Sequence, residues 1–128
     1  MMKLIPGEQG FTLLELIAVL LILSVLAAIA IPRYISIDEN ARQRAIDAGI
    51  AELNGRETLT WSNIKITSTG YLDDASLFAQ VDTTLGPDYS WAGGHPGIDG
   101  GTLRFKESTL VPLSRSESTF EKPGYWSR

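Results

Sequence analysis

The sequence predicts an α+β fold: a long N-terminal α-helix, half membrane-spanning and half amphipathic, packed on a small antiparallel β-sheet. Three observations predict it. Residues 11–31, FTLLELIAVLLILSVLAAIAI, contain one charged side chain and neither proline nor glycine. From Arg33 to Leu53, apolar residues recur at helical spacing. Beyond Gly86, short runs such as Tyr89-Ser90-Trp91 and Thr109 to Leu113 alternate with Gly, Pro and Asp clusters, as short strands alternate with turns.

As a helix, residues 11–31 span about 31 Å at ~1.5 Å per residue, the thickness of a bilayer's hydrocarbon core. Fourteen of them are Leu, Ile, Val or Phe, which together favour insertion by about 4 to 8 kcal/mol. Glu15 does not cancel this, because a charge near a helix end costs less than the roughly 3 kcal/mol of a central one. An ionisable group inside such a segment points to function. Its place near the helix start also suits the positive end of the helix dipole. Position alone leaves both readings open. Ser24 and Ala28 form a small-xxx-small pair that lets helices approach closely. Pro32 removes a helical hydrogen bond and crowds the Ala28 carbonyl. The periodicity beyond it favours a helix that continues.

A secretory signal places its small-residue cleavage site after the apolar run. Here Gly10 precedes the run, behind a short polar leader. The string Gly10-Phe11-Thr12-Leu13-Leu14-Glu15, followed by the apolar run and Pro32, resembles the prepilin processing site of type IV pilins and of the pseudopilins of type II secretion. The resemblance covers residues 10–34 and implies a pilin-like fold. It implies cleavage between Gly10 and Phe11 by a prepilin peptidase, N-methylation of Phe11, a helix kink at Pro32, and subunit assembly through Glu15 and Phe11. Cleavage leaves an ammonium on Phe11 at the edge of the hydrocarbon. That charge needs a partner, and the carboxylate of Glu15, on its own or a neighbouring subunit, is the one the family supplies. The expected organisation is a leader at 1–10, a transmembrane and filament-core helix at 11–32, its amphipathic continuation at 33–66, and a small α+β head at 67–128. Glu8 and Gln9 stand where many family leaders carry a basic residue. Lys3 precedes the span and Arg33, Arg42 and Arg44 follow it, which by the positive-inside rule would place the C-terminal part inside the cell. The resemblance places the leader inside and the head outside, and that orientation is adopted.

Composition narrows the function classes. A net charge of −4 with scattered Lys and Arg argues against a nucleic-acid surface. The absence of cysteine removes disulfides and thiolate metal sites, although many type IV pilins close their C-terminal region with a disulfide. No cofactor or metal is expected. His95 with nearby Asp99 does not make a metal constellation. The loop from Gly93 to Gly101 lacks the order of a phosphate loop and reads as flexible surface.

The helix after Pro32 carries two apolar stripes. Tyr34, Ile37, Ala41, Ala45 and Ala48 form a small-residue face; Ile46, Ile50, Leu53, Trp61 and Ile64 form a bulky face near the opposite side. The bulky face is expected on the chain's own sheet and the alanine face against neighbouring helices. Glu57 sits awkwardly on the bulky face. Gly49 and Gly55 each cost about 1 kcal/mol in a helix interior, so the helix is expected to bend or end near Asn54-Gly55, with Thr58 to Trp61 extended. Asp73 to Ala79 reads as a second short helix with acidic residues at its start. Leu72, Phe78 and Val81 are expected to pack. Thr102 to Phe105 and Thr109 to Leu113 read as a hairpin, with Pro112 suited to an edge strand. The aromatic tail, Tyr125-Trp126, is expected to pack on the chain's own sheet or on the next subunit.

The leading functional expectation is a structural, non-enzymatic subunit of a type IV pilus-like filament. It would be stored in the bacterial inner membrane and assembled through its N-terminal helix into an extracellular filament. The expected partners are copies of itself and other pilins, the prepilin peptidase, an assembly platform and a motor ATPase. The alternative within the family is a pseudopilin of a type II secretion system, in a periplasmic pseudopilus. The dispersed Asp99, Glu107, Glu117 and Glu121 do not form the acidic calcium loop of the major pseudopilin. A membrane-anchored enzyme lacks a nucleophile, base and orienter. A plain anchored binding domain has no use for Glu15.

Overall fold

The structure is a computed structural model describing residues 10–107 and 109–128. Of the expected leader, only Gly10 is among the described residues. The chain separates into two units, one ending at Glu39 and one beginning at Asn40.

The N-terminal unit is helical from Leu13, the start of α1 (Leu13–Lys65). The helix continues through Pro32. Every residue from 10 to 39 is exposed, including Leu13, Leu14, Leu20 and Ile29. In this apolar stretch the Ser24 hydroxyl donates to the Leu21 carbonyl at 2.8 Å, which removes the cost of a bare polar group.

The second unit is built on the rest of α1, followed by α2 (Asp74–Phe78), β1 (Tyr89–Trp91), β2 (Gly100–Phe105), β3 (Thr109–Ser116) and β4 (Tyr125–Ser127). The four strands form one antiparallel sheet in the order β1-β2-β3-β4. Leu103 of β2 lies opposite Val111, and Arg115 of β3 lies opposite Trp126 of β4. The core joins Ile46 and Leu53 of α1 to Leu103, Leu113 and Trp126 of the sheet. Trp126 is fully buried, 5.5 Å from the Trp91 ring and 6.4 Å from that of Phe78. A second cluster packs Ile64 against Leu77 and Val81, with Trp61 and Tyr71 beside it. The bulky face of the helix therefore covers the sheet and α2. Tyr34, Ile37, Ala41 and Ala48 of the alanine face are exposed and Ala45 is half-buried.

Five expectations change. The helix does not end at Asn54-Gly55, and Thr58 to Trp61 are helical. Burial of Leu53, Glu57 and Ile64 along one face outweighs the local glycine cost. Gly49 has a packing reason: a Cβ there would lie 3.0 Å from the Tyr89 ring. Gly55 faces open space, and nothing in the structure explains it. Leu72 is exposed, whereas its neighbour along α2, Leu77, is buried. The strand β3 runs on to Ser116, three residues beyond the expected end. Pro112 lies on this inner strand, yet only Ser114 to Ser116 pair with β4, so its neighbourhood is locally an edge and the missing N–H costs no ladder bond. The loop from Gly93 to Gly101 is tied down. Gly97 and Gly100 exchange backbone bonds at 2.7 and 3.1 Å, and the Arg115 N–H donates to the Asp99 carbonyl at 2.8 Å.

Candidate functional site

Two places concentrate chemistry. The first is the start of α1. Thr12 precedes the helix and Glu15 stands three positions later, the S/T-x-x-E arrangement. The Thr12 N–H donates to Glu15 Oε2 at 2.7 Å and the Glu15 N–H donates to Thr12 Oγ1 at 3.2 Å. Two of the donors that a helix start leaves without partners are thereby satisfied. The dipole reading of Glu15 thus takes the specific form of a capping box, which its spacing from Thr12 makes legible in the sequence. Gly10 and Phe11 lie ahead of the helix, and Phe11 is 82% exposed. A protease reaching this peptide bond meets exposed backbone outside the helix. The structure brings Phe11, Thr12 and Glu15 to one helix end; Pro32 lies more than a dozen residues further along the same helix.

The second place is inside the head, and it resolves the misfit of Glu57. On β3, alternation puts Val111, Leu113 and Arg115 on one face, so Arg115 points into the core. It meets Glu57, which is fully buried on the facing side of α1. The Arg115 guanidinium donates to both Glu57 oxygens, through Nε to Oε1 and through Nη2 to Oε2 at 3.1 Å. It also donates to Asp74 at 2.8 and 2.9 Å and to the Ile98 carbonyl at 3.1 Å. Trp126 Nε1 donates to Glu57 Oε1 at 3.0 Å. Asp74 further accepts from the Ser118 N–H and hydroxyl at 2.8 and 2.6 Å.

The energetics follow from burial and pairing. Burial alone would raise the Asp74 pKa; the bonds from Arg115 and Ser118 outweigh it and hold the carboxyl at about 2. Burial works against the Arg115 charge, and its bonds to Asp74 and Glu57 more than reverse that, so it stays protonated. The latch needs Gly124: a Cβ there would lie 2.6 Å from Arg115 Nη2 and 2.8 Å from Glu57 Oε2. Asn54 completes the closure by pairing with the Trp126 backbone, accepting from its N–H at 2.7 Å and donating to its carbonyl at 3.0 Å. Buried, fully bonded ions of this kind hold α1, α2, β3 and β4 together; none is open to a substrate.

In the sequence Glu57 stands out as a charge on an apolar face; Arg115 lies beyond Leu113, the expected end of the strand, so the spacing does not point to their pairing. His95 and Asp99 do not converge on other ligands, and the described residues contain no group of three or more His, Cys, Asp or Glu side chains able to hold a metal ion.

Comparison with known proteins bears on the first place. The prokaryotic N-terminal methylation motif matches residues 5–31. The type IV narrow pilus major component PilA5 of Thermus thermophilus is 44% identical over 43 residues, which cover 34% of this chain and 37% of that protein. The chain thus aligns with little more than a third of that relative's length. No solved structure matches significantly. The helix that follows the motif is long and apolar enough to cross a membrane. The N-terminal segment is thus similar to that of type IV pilins, and the long helix with a small four-stranded antiparallel sheet matches a pilin-like α+β fold.

Proposed function

We propose that the chain is a structural subunit of a type IV pilus-like filament and has no enzymatic role. It is held in the inner membrane by residues 11–32 until a prepilin peptidase cuts between Gly10 and Phe11 and the new Phe11 amine is methylated. Assembly then proceeds through the N-terminal helix, with a platform and a motor ATPase supplying the drive, into an extracellular helical homo-oligomer. The observation that carries this reading is the Gly10 to Glu15 motif opening a helix whose apolar residues are uncovered through Ile37. Thirteen Leu, Ile and Val side chains along the uncovered helix from Leu13 to Ile31 demand lipid or other helices as a solvent. Similarity to a narrow-pilus component favours a pilus over a secretion pseudopilus.

The capping box shapes the test. Glu15→Ala removes both the charge and the cap, whereas Glu15→Gln keeps the cap, since Gln serves equally in a capping box. If the carboxylate neutralises the Phe11 ammonium of a neighbour, both variants yield processed, membrane-inserted monomers and few filaments. Normal filament yield from Glu15→Gln would show that Glu15 only caps its helix. Intact-mass spectrometry of the native protein supplies the companion readout: loss of residues 1–10 with gain of one methyl group is expected.

A further inference from the structure

The head carries a cavity of about 260 Å³ beside the Gly93 to Gly101 loop. Its lining includes Tyr89 and Trp91 of β1, Thr83 and Thr84 before it, and His95 of the loop. We propose that this cavity binds one ring of a neutral sugar.

Four features support that assignment. The aromatic walls are fixed at both ends. Trp91 Nε1 donates to the Thr83 carbonyl at 2.8 Å, and the Tyr89 hydroxyl donates to the Ala45 carbonyl at 2.7 Å. Behind Trp91, the Trp126 ring closes the core. The walls therefore present apolar ring surface that does not reorganise, the feature that lowers the cost of binding. Second, the hydroxyl of Thr83 and the imidazole of His95 line the cavity, while Thr84 is engaged by Asp82. Hydroxyl and neutral imidazole each both donate and accept, as sugar hydroxyls do. Third, no formally charged side chain lines the cavity, so neither an anion nor a cation finds its counter-charge there. Fourth, the volume lies below the ~300–1,000 Å³ of sites for drug-sized ligands, which limits the occupant to about one ring. A pyranose has an apolar C–H face and a rim of hydroxyls that match the rings and the polar groups of Thr83 and His95.

The test uses the full chain, monomeric in a detergent without a sugar headgroup, so it reads the head independently of filament formation. Methyl glycosides of glucose, galactose, mannose and N-acetylglucosamine are titrated by saturation-transfer NMR and tryptophan fluorescence, with glucuronate as the charged control. Saturable binding of at least one neutral glycoside is expected, with a Kd of about 1–10 mM as befits one ring and few hydrogen bonds. Saturation should be strongest at its ring C–H protons. Thr83→Val and His95→Ala each remove one polar partner at half-buried or exposed positions and should weaken binding about fivefold with near-UV CD unchanged. No saturable signal from any of the four up to about 50 mM, well above that Kd, would overturn the assignment. So would equal binding by both variants, or tighter binding of glucuronate.

Discussion

Replacing Arg115 by methionine tests the account of the head most directly. The side chain is removed from contact with two carboxylates and one carbonyl, and a nearly isosteric apolar chain takes its place. Asp74 keeps the Ser118 N–H and hydroxyl, so its share of the loss is small. Glu57 keeps only the Trp126 indole N–H and stays in a fully buried position. Stranding one buried charge costs about 3–5 kcal/mol, a large fraction of a small domain's stability of about 5–15 kcal/mol. Converting the whole cluster at once, Glu57→Leu with Asp74→Asn and Arg115→Met, removes the ions together and should recover most of that loss. The assay is urea unfolding of the full chain in detergent, read by near-UV CD and tryptophan fluorescence, with the single, double and triple variants in one cycle. A loss below about 1 kcal/mol, the level of a surface ion pair, would refute the reasoning. So would a triple variant weaker than the single one.

Other expectations follow from neighbouring residues. Gly124→Ala drives a methyl group into the Arg115–Glu57 contact and should cost about 1–3 kcal/mol in the same assay. Gly55→Ala meets nothing within 4 Å and should stabilise the head by about 0.5–1 kcal/mol, since alanine is the better helix former. Asp74 is held near 2 against an ordinary 3.8. Its contribution, at most about 2 kcal/mol, is complete above pH 4 and is lost as pH falls through about 2. Acid titration of wild type against Asp74→Asn should show the two curves converging across that window.

Much of this architecture was legible in the sequence because periodicity reports burial. The spacing of Ile46, Leu53 and Ile64 places the covered face of α1, and the Tyr89, Thr102 and Thr109 runs place three of the four strands. What periodicity could not supply is pairing between distant segments. Glu57 looked like an error on an apolar face until Arg115 arrived from 58 positions away. The alternation Val111, Leu113, Arg115 held that information, and reading past Leu113 would have found it. Helix ends were harder. Glycine propensity argued for a stop at Asn54-Gly55, and tertiary burial of Glu57 and Ile64 carried the helix to Lys65. At the other end, the Thr12–Glu15 capping box is written in a spacing of three.

The tie between Trp126 and Glu57 joins residues 69 positions apart, and this sets the timetable of biogenesis. A ribosome releases the apolar stretch ending at Ile31 first and the Trp126 indole 95 residues later. Until Arg115 follows, 58 positions after Glu57, that carboxylate lacks its cation, and until Trp126 follows it lacks its second donor, so the head closes only when nearly the whole chain is made. A chain halted between those two moments displays a charged, half-built interior.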